Sequence, residues 1–460
     1  MSRAILGGSR RSLVGLLVFF VFAATFVPAQ AAPGGNKGGG GGGGGKCNPK
    51  KTTCSEPTPE SSPTPESSPT PESSPTPESS PTPESSPSAP TGELQVSDTA
   101  LANPAIADTL VPLGRGRMAV DGSRSILLYE ERFGHRPWIY ARDAVSGSEG
   151  HVALPYDSLT GWSDAAAVLR GSDLWIFSGS GPMYLRHYTL AGSPLPTSAS
   201  LASVKTFGDA DSRPGDMIRL SSGSLVAVWH QQGALGSQGH YVAYRSTAGQ
   251  WTTQYVGFIP TRASKDALAQ HPVDQSVWLF NNPDAWSSIG AAHFTETTSG
   301  LRVDWTNPYF IDSRFGEYDA DPENPDVVVA PDASTGEIVL AYQSAQRKMF
   351  STSVAGSYPA IARISTSGSM RFMHLPIYVE RISRLGLVIS PSGLWLLHRP
   401  VNTTTLTFDD LYLSRYAGGS WQTKKLGTLF HRYERVAYGV GRAEFAARMA
   451  DERIHAYRSN

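Results

Sequence analysis

Carboxylates recur along the chain at intervals that could bring them to one place. Anchoring each apolar run on the turn that follows it and counting back places Asp164, Asp216, Asp266, Asp326 and Glu434 at equivalent positions, with Arg115 and Gly386 filling the same register. Arg213, Lys265, Arg384 and Arg435 lie within three residues of these starts. Paired carboxylates are what glycosidic-bond hydrolysis requires, one as acid and the other as base or nucleophile. Carboxylates mixed with cations can also hold a hydroxyl-rich or acidic sugar without breaking it. The competing role is structural, because Asp commonly closes turns by accepting backbone N–H groups. Asp216, Asp266 and Asp326 are the catalytic candidates. Arg213, Asp164, Arg384, Glu434 and Arg435 join them as candidate ligand-binding residues.

The elements that would position these groups read as strands. "SILLYEE", "DLWIFSG", "SLVAVWH", "SVWLFNN", "EIVLAYQ" and "GLWLLHR" are short β-branched and aromatic runs, each bounded by Gly, Pro, Asp or Ser. Helical periodicity is scarce, and "RAEFAARMADERI" (442–454) is the one segment that could pass for a helix. Successive starts, from Arg115 to Glu434, are 49, 52, 50, 60, 60 and 48 residues apart. That period is the size of a four-stranded propeller blade. A second marker agrees: "YRSTAGQWTT" (244–253) and "SRYAGGSWQT" (414–423) share Arg, Gly, Trp and Thr in register, 170 residues apart, as Asp216 and Gly386 are. The expected fold is therefore an all-β propeller of seven blades, or six if Arg115 or Glu434 opens something else. "GELQVSDTALA" near residue 92 is the expected outer strand of a last blade that would otherwise be incomplete. A pair of β-sandwiches would not carry one period across the whole domain.

Upstream of residue 92 the composition cannot build a core. Residues 1–31 read as an export signal, with Arg3, Arg10 and Arg11 ahead of "LVGLLVFFVFAATFV" and a small-residue cleavage site at Ala29-Gln30-Ala31. "SRRSLV" also resembles a twin-arginine signal. A glycine-rich segment (32–54) follows, containing Cys47 and Cys54, then a six-residue Pro/Thr/Glu/Ser repeat (55–91) whose prolines favour an extended spacer. The expected location is outside the cell or at its surface, with no membrane contact beyond the signal. The 39 basic and 40 acidic residues leave a net charge of −1, which gives no electrostatic reason to expect nucleic acid.

Other constellations say less. "DADPENPD" gathers Asp319, Asp321, Glu323 and Asp326 and could offer oxygen ligands to Ca²⁺. It lacks the glycine of an EF-type loop and carries two prolines, so an exposed acidic turn is the favoured reading and no metal or cofactor is expected. No His-Glu-x-x-His, Gly-x-Ser-x-Gly or Gly-Lys-Ser/Thr motif is present. Most tryptophans, Trp175, Trp229, Trp278 and Trp395 among them, fall inside apolar strands and read as core.

Two stretches resemble sialidase-like (Asp-box) propellers. "SRPGDMIRLSSGSLVAVWH" is similar to that family's opening blade, and the resemblance implies that Arg213 would bind a substrate carboxylate. Ser414, Gly418, Ser420 and Trp421 fit the Asp-box pattern, with Tyr416 in place of the aspartate; the match around Ser246, Gly249 and Trp251 is looser. Pro214 stands one place early, the family isoleucine is missing and the motif falls in the third repeat. The family's arginine triad, acid/base aspartate and tyrosine nucleophile have no matching positions. The resemblance implies a monomeric propeller that recognises extracellular or cell-wall glycans without strong catalysis, the alternatives being an active exo-glycosidase and a protein-interaction platform.

Overall fold

The computed structural model describes residues 94–459 apart from 102–109, 113–116, 132–135, 156–164, 180, 211, 232–238, 258–265, 282–287, 313–326, 348–353, 376–384, 399–409, 431–435 and 440. The signal, glycine tract, spacer, both cysteines and "DADPENPD" lie outside the described residues. Every regular element within them is a strand. The strands form seven antiparallel sheets. Blades 2 to 6 each take four consecutive strands, and their inner strands are Ala166–Arg170, Ser212–Arg219, Asp266–Gln270, Val327–Asp332 and Gly386–Ser390. In blade 1 the inner edge of Arg124–Glu131 is shared: Ala119–Asp121 pairs with one half and Leu110–Pro112 with the other.

Blade 7 closes the ring as the sequence suggests. Val436–Tyr438, Glu444–Arg448 and Ile454–Ser459 supply three strands, and Val96–Ala100 adds the fourth by pairing antiparallel with Ile454–Ser459. On the inside, the Met118 N–H donates to the Tyr438 carbonyl at 2.8 Å, joining blade 1 to blade 7. Closure turns the free edges of the inner strands toward the axis and leaves the outer strands as the outward-facing edges.

Blades pack face to face, so inner and second strands are covered on both sides. Val277–Asn281 and Glu444–Arg448 are buried at every position. This explains the one mistaken element in the sequence reading. "RAEFAARMADERI" forms a strand, a turn and a second strand, because a strand buried on both faces loses its alternation and its apolar run then imitates a helix. Within it, Arg448 lies over the Phe430 ring at 3.9 Å and Glu444 binds Arg142 at 2.6 Å.

The paired markers occupy the hairpins between third and outer strands. The loops differ by one residue, since Trp251 pairs with Arg245 and Trp421 with Tyr416. Trp421 is fully buried, and Ser414 bonds His398 Nε2 at 2.9 Å and Thr423 at 2.8 Å, so the motif holds blade 6 together from inside.

Candidate functional site

The inner strands surround a channel, and the side chain that crosses it is Arg117. This residue precedes the inner strand of blade 1, and its guanidinium reaches blades 3, 4 and 5. It lies 3.3 Å from Asp216 Oδ2 and donates to the carbonyls of Leu268 at 3.0 Å and Val329 at 3.3 Å. Inner strands have one edge facing the axis, where carbonyl and N–H groups lack a neighbouring strand. Arg117 and Asp216 satisfy part of that edge from opposite sides.

Asp216 reaches the axis because its strand is irregular. Ser212–Arg219 pairs with Leu225–Gln231 except for a register shift between Pro214 and Met217. Gly215 sits in that bulge with its Cα against the Val228 carbonyl, where a Cβ would collide. The bulge re-aims the next side chain. Asp216 Oδ1 accepts from its neighbour Met217 N–H at 2.8 Å, and Oδ2 accepts from Leu268 N–H at 2.8 Å in addition to facing Arg117.

Asp266 is placed differently, although the sequence register equates the two. It opens the inner strand of blade 4 and turns into the seam between blades 3 and 4. There Oδ1 meets His240 Nε2 at 2.8 Å and accepts from Asn281 Nδ2 at 2.7 Å, and the Asp266 and His240 side chains are both fully buried. His230 packs against His240 with ring centroids 5.6 Å apart. The Nδ1 of His240 has no hydrogen-bond partner among the described residues. In blade 6, His398 is likewise enclosed, and burial lowers its pKa to about 3, so it is a neutral hydrogen-bonding group at any working pH.

Of the remaining candidates, Arg213 is exposed at the start of its strand, the end at which inner strands enter the ring. Beside it the Ser212 hydroxyl accepts from Asp209 N–H at 2.9 Å, and Asp209 also takes a bond from Gln231. Asp164, Asp326, Arg384, Glu434 and Arg435 lie outside the described residues. The structure thus divides the two described carboxylate candidates between the axis and an inter-blade seam, each bonded to protein groups. Arg117, His240 and Asn281 were not singled out in the sequence. The only sequence signal lay two residues away: the register had a lone basic start at Arg115, which lies outside the described residues, and Arg117 is the basic residue that meets Asp216.

Beyond Arg117, towards the end where the inner strands leave the ring, two cavities of about 300 and 350 Å³ open. Arg117, Ile218, Arg219 and Gln270 line both. His271 borders the first; burial lowers its pKa, against the opposing field of Asp274. No group of three or more His, Cys, Asp or Glu side chains among the described residues could hold a metal.

No protein-family model and no curated protein matches the chain. Solved structures of similar fold include the Trypanosoma rangeli sialidase in complex with sialic acid, at 11% identity over 72% of this chain and 60% of that one, TM-score 0.43. An oligogalacturonate lyase from Vibrio parahaemolyticus is 9% identical over 80% of this chain and 98% of its own, TM-score 0.45. A polysaccharide lyase is 10% identical over 78% and 91%, TM-score 0.42. The seven-bladed propeller rests on the chain's own sheet topology, and these structures are similar to it in fold alone.

Proposed function

We propose that this is an exported propeller that recognises extracellular glycans at the face where its inner strands begin, without turning them over. The observation that carries the reading is how the two described carboxylate candidates are used. Asp216 holds Arg117 and two backbone N–H groups, and Asp266 holds His240 and Asn281. Glycoside hydrolysis needs two carboxylates about 5 to 9.5 Å apart across an open pocket. Carboxylates enclosed in this way supply rigidity to a binding face instead. Arg213, exposed beside the Ser212–Asp209–Gln231 network, offers a cation on that rigid base for an acidic or hydroxyl-rich sugar.

Export follows from the N-terminal signal pattern and a spacer suited to holding a binding domain away from a surface. The test is a glycan array with a parallel hydrolysis screen on the mature chain and its Arg213→Ala variant. Binding without product release, weakened in the variant, is the expected outcome. Release of monosaccharide would establish a hydrolase, and no glycan signal from folded protein would favour a protein-binding platform.

A further inference from the structure

The geometry points to a second site, for a small organic carboxylate, at the opposite end of the channel with Arg219 as its anchor. Arg219 is the last residue of the inner strand of blade 3, and Arg213 stands near the first. Its side chain is 31% exposed and makes no hydrogen bond among the described residues; its Nε is enclosed and unpartnered. Among the described residues Arg219 pairs with one carboxylate: Asp121 faces it through Oδ1 at 4.0 Å, beyond hydrogen-bond reach, while Oδ2 holds Arg124 at 3.4 Å and the Gly171 N–H. The guanidinium fork therefore keeps its donors unspent.

Most neighbouring polar groups are committed, although His271 Nε2, at the border of the first cavity, has no partner among the described residues. Arg117 is bound to Asp216 and two carbonyls. Gln270 accepts from Ser221 N–H at 2.7 Å and donates to the Gln275 carbonyl at 3.1 Å. Arg442 donates to the carbonyls of Gly122 and Ser123. Among the described residues, Arg117 and Arg219 line both cavities and their ion pairs are with Asp216 and with an Asp121 shared with Arg124, which leaves positive charge where the two cavities meet.

The shape and lining narrow the ligand class. At about 30 Å³ per water, the 300 Å³ cavity has room for a molecule of monosaccharide size. Ile218, Leu268, Val329, Ala330 and Leu387 give it apolar walls. A hydrated inorganic anion gains nothing from such walls, whereas a carboxylate on a carbon skeleton can pair with the planar fork and pack its remainder against them. The site is separate from the glycan-binding face and does not depend on that reading.

The experiment is calorimetric titration of the full chain with sodium glucuronate, sodium benzoate, sodium sulfate and glucose. Wild type should bind at least one of the two carboxylates about tenfold or more tighter than sulfate or glucose. Arg219→Gln should lose about tenfold or more of that affinity, the scale of one charge-assisted pair, and Arg219→Lys should keep part of it. Preference for glucuronate would assign a sugar acid and preference for benzoate an apolar acid. Because Arg219 makes no hydrogen bond, Arg219→Gln should leave the urea midpoint unchanged, so a binding loss reads on the ligand. Failure of both carboxylates to bind, equal binding of sulfate, or affinity unaltered by Arg219→Gln would overturn the site. Arg213→Ala should leave the benzoate titration unchanged, and glucuronate binding lost in Arg213→Ala but kept in Arg219→Gln would belong to the glycan-binding face.

Discussion

Removing the Asp216 carboxylate should loosen the whole ring. The Asp216→Ala change leaves Arg117, only 14% exposed, with two carbonyl partners and no counter-ion, and strips an acceptor from the N–H groups of Met217 and Leu268. Breaking a buried pair by deleting one partner typically costs about 3–5 kcal/mol, most of it from the charge left behind. A surface pair would cost less than about 1 kcal/mol. Deleting both partners should be milder than deleting Asp216 alone, because no isolated charge then remains in the channel. Urea unfolding of wild type, Asp216→Ala, Arg117→Met and the double variant forms a cycle, with a coupling of about 2 kcal/mol or more expected between the two sites. Since the pair spans blades 1, 3, 4 and 5, amide exchange should rise in all of these and not only beside residue 216. A loss under about 1 kcal/mol, or additive single variants, would refute the claim that Arg117 and Asp216 tie the blades together across the axis.

Three further perturbations address other parts of the ring. His455 binds Asp98 of the closing strand at 2.8 Å and Asp451 at 3.0 Å; burial alone would lower its pKa, but the two carboxylates raise it overall. A raised histidine pKa means stabilisation that is full below the ordinary value of about 6.5 and fades as pH climbs through the folded value. The urea-midpoint difference between wild type and His455→Gln should therefore shrink from pH 6 to pH 8.5; a constant difference would show that the carboxylates do not act through the charged imidazole. Gly215→Ala forces a Cβ into the Val228 carbonyl and should cost about 1–3 kcal/mol, while Gly171→Ala, with open space around it, should show only the smaller strain of a positive φ. Equal losses at the two positions would mean that the bulge is not tightly packed. Trp421→Ala should cost about 3–5 kcal/mol, well beyond Trp251→Ala, whose ring is half-buried; calorimetric unfolding ranks them, and the reverse order would contradict the packing of blade 6.

The blade count, the closing strand and the paired hairpins were legible because they depend on repetition, and a repeat survives where individual motifs decay. Local chemistry did not survive so plainly. Equal spacing put Asp216 and Asp266 at the same position, yet one bulge, between Pro214 and Met217, sends Asp216 onto the axis while Asp266 turns into a seam. A shift of one residue in a strand exchanges its faces, and nothing in "SRPGDMIRL" reveals the shift except a Pro-Gly pair inside an otherwise strand-like run. The same limit explains Arg117. Its neighbour Arg115 fitted the repeat register and lies outside the described residues, whereas Arg117, two places on, spans the channel from the point where blade 1 meets Tyr438. Periodicity therefore locates the ring of positions from which a site is made, and the irregular residues between them decide which side chains enter it. Arg219 follows the same rule: it ends its strand at the inner edge, and the looseness of its ion pair emerges only when Asp121, two blades away, proves to be 4.0 Å off and shared with Arg124.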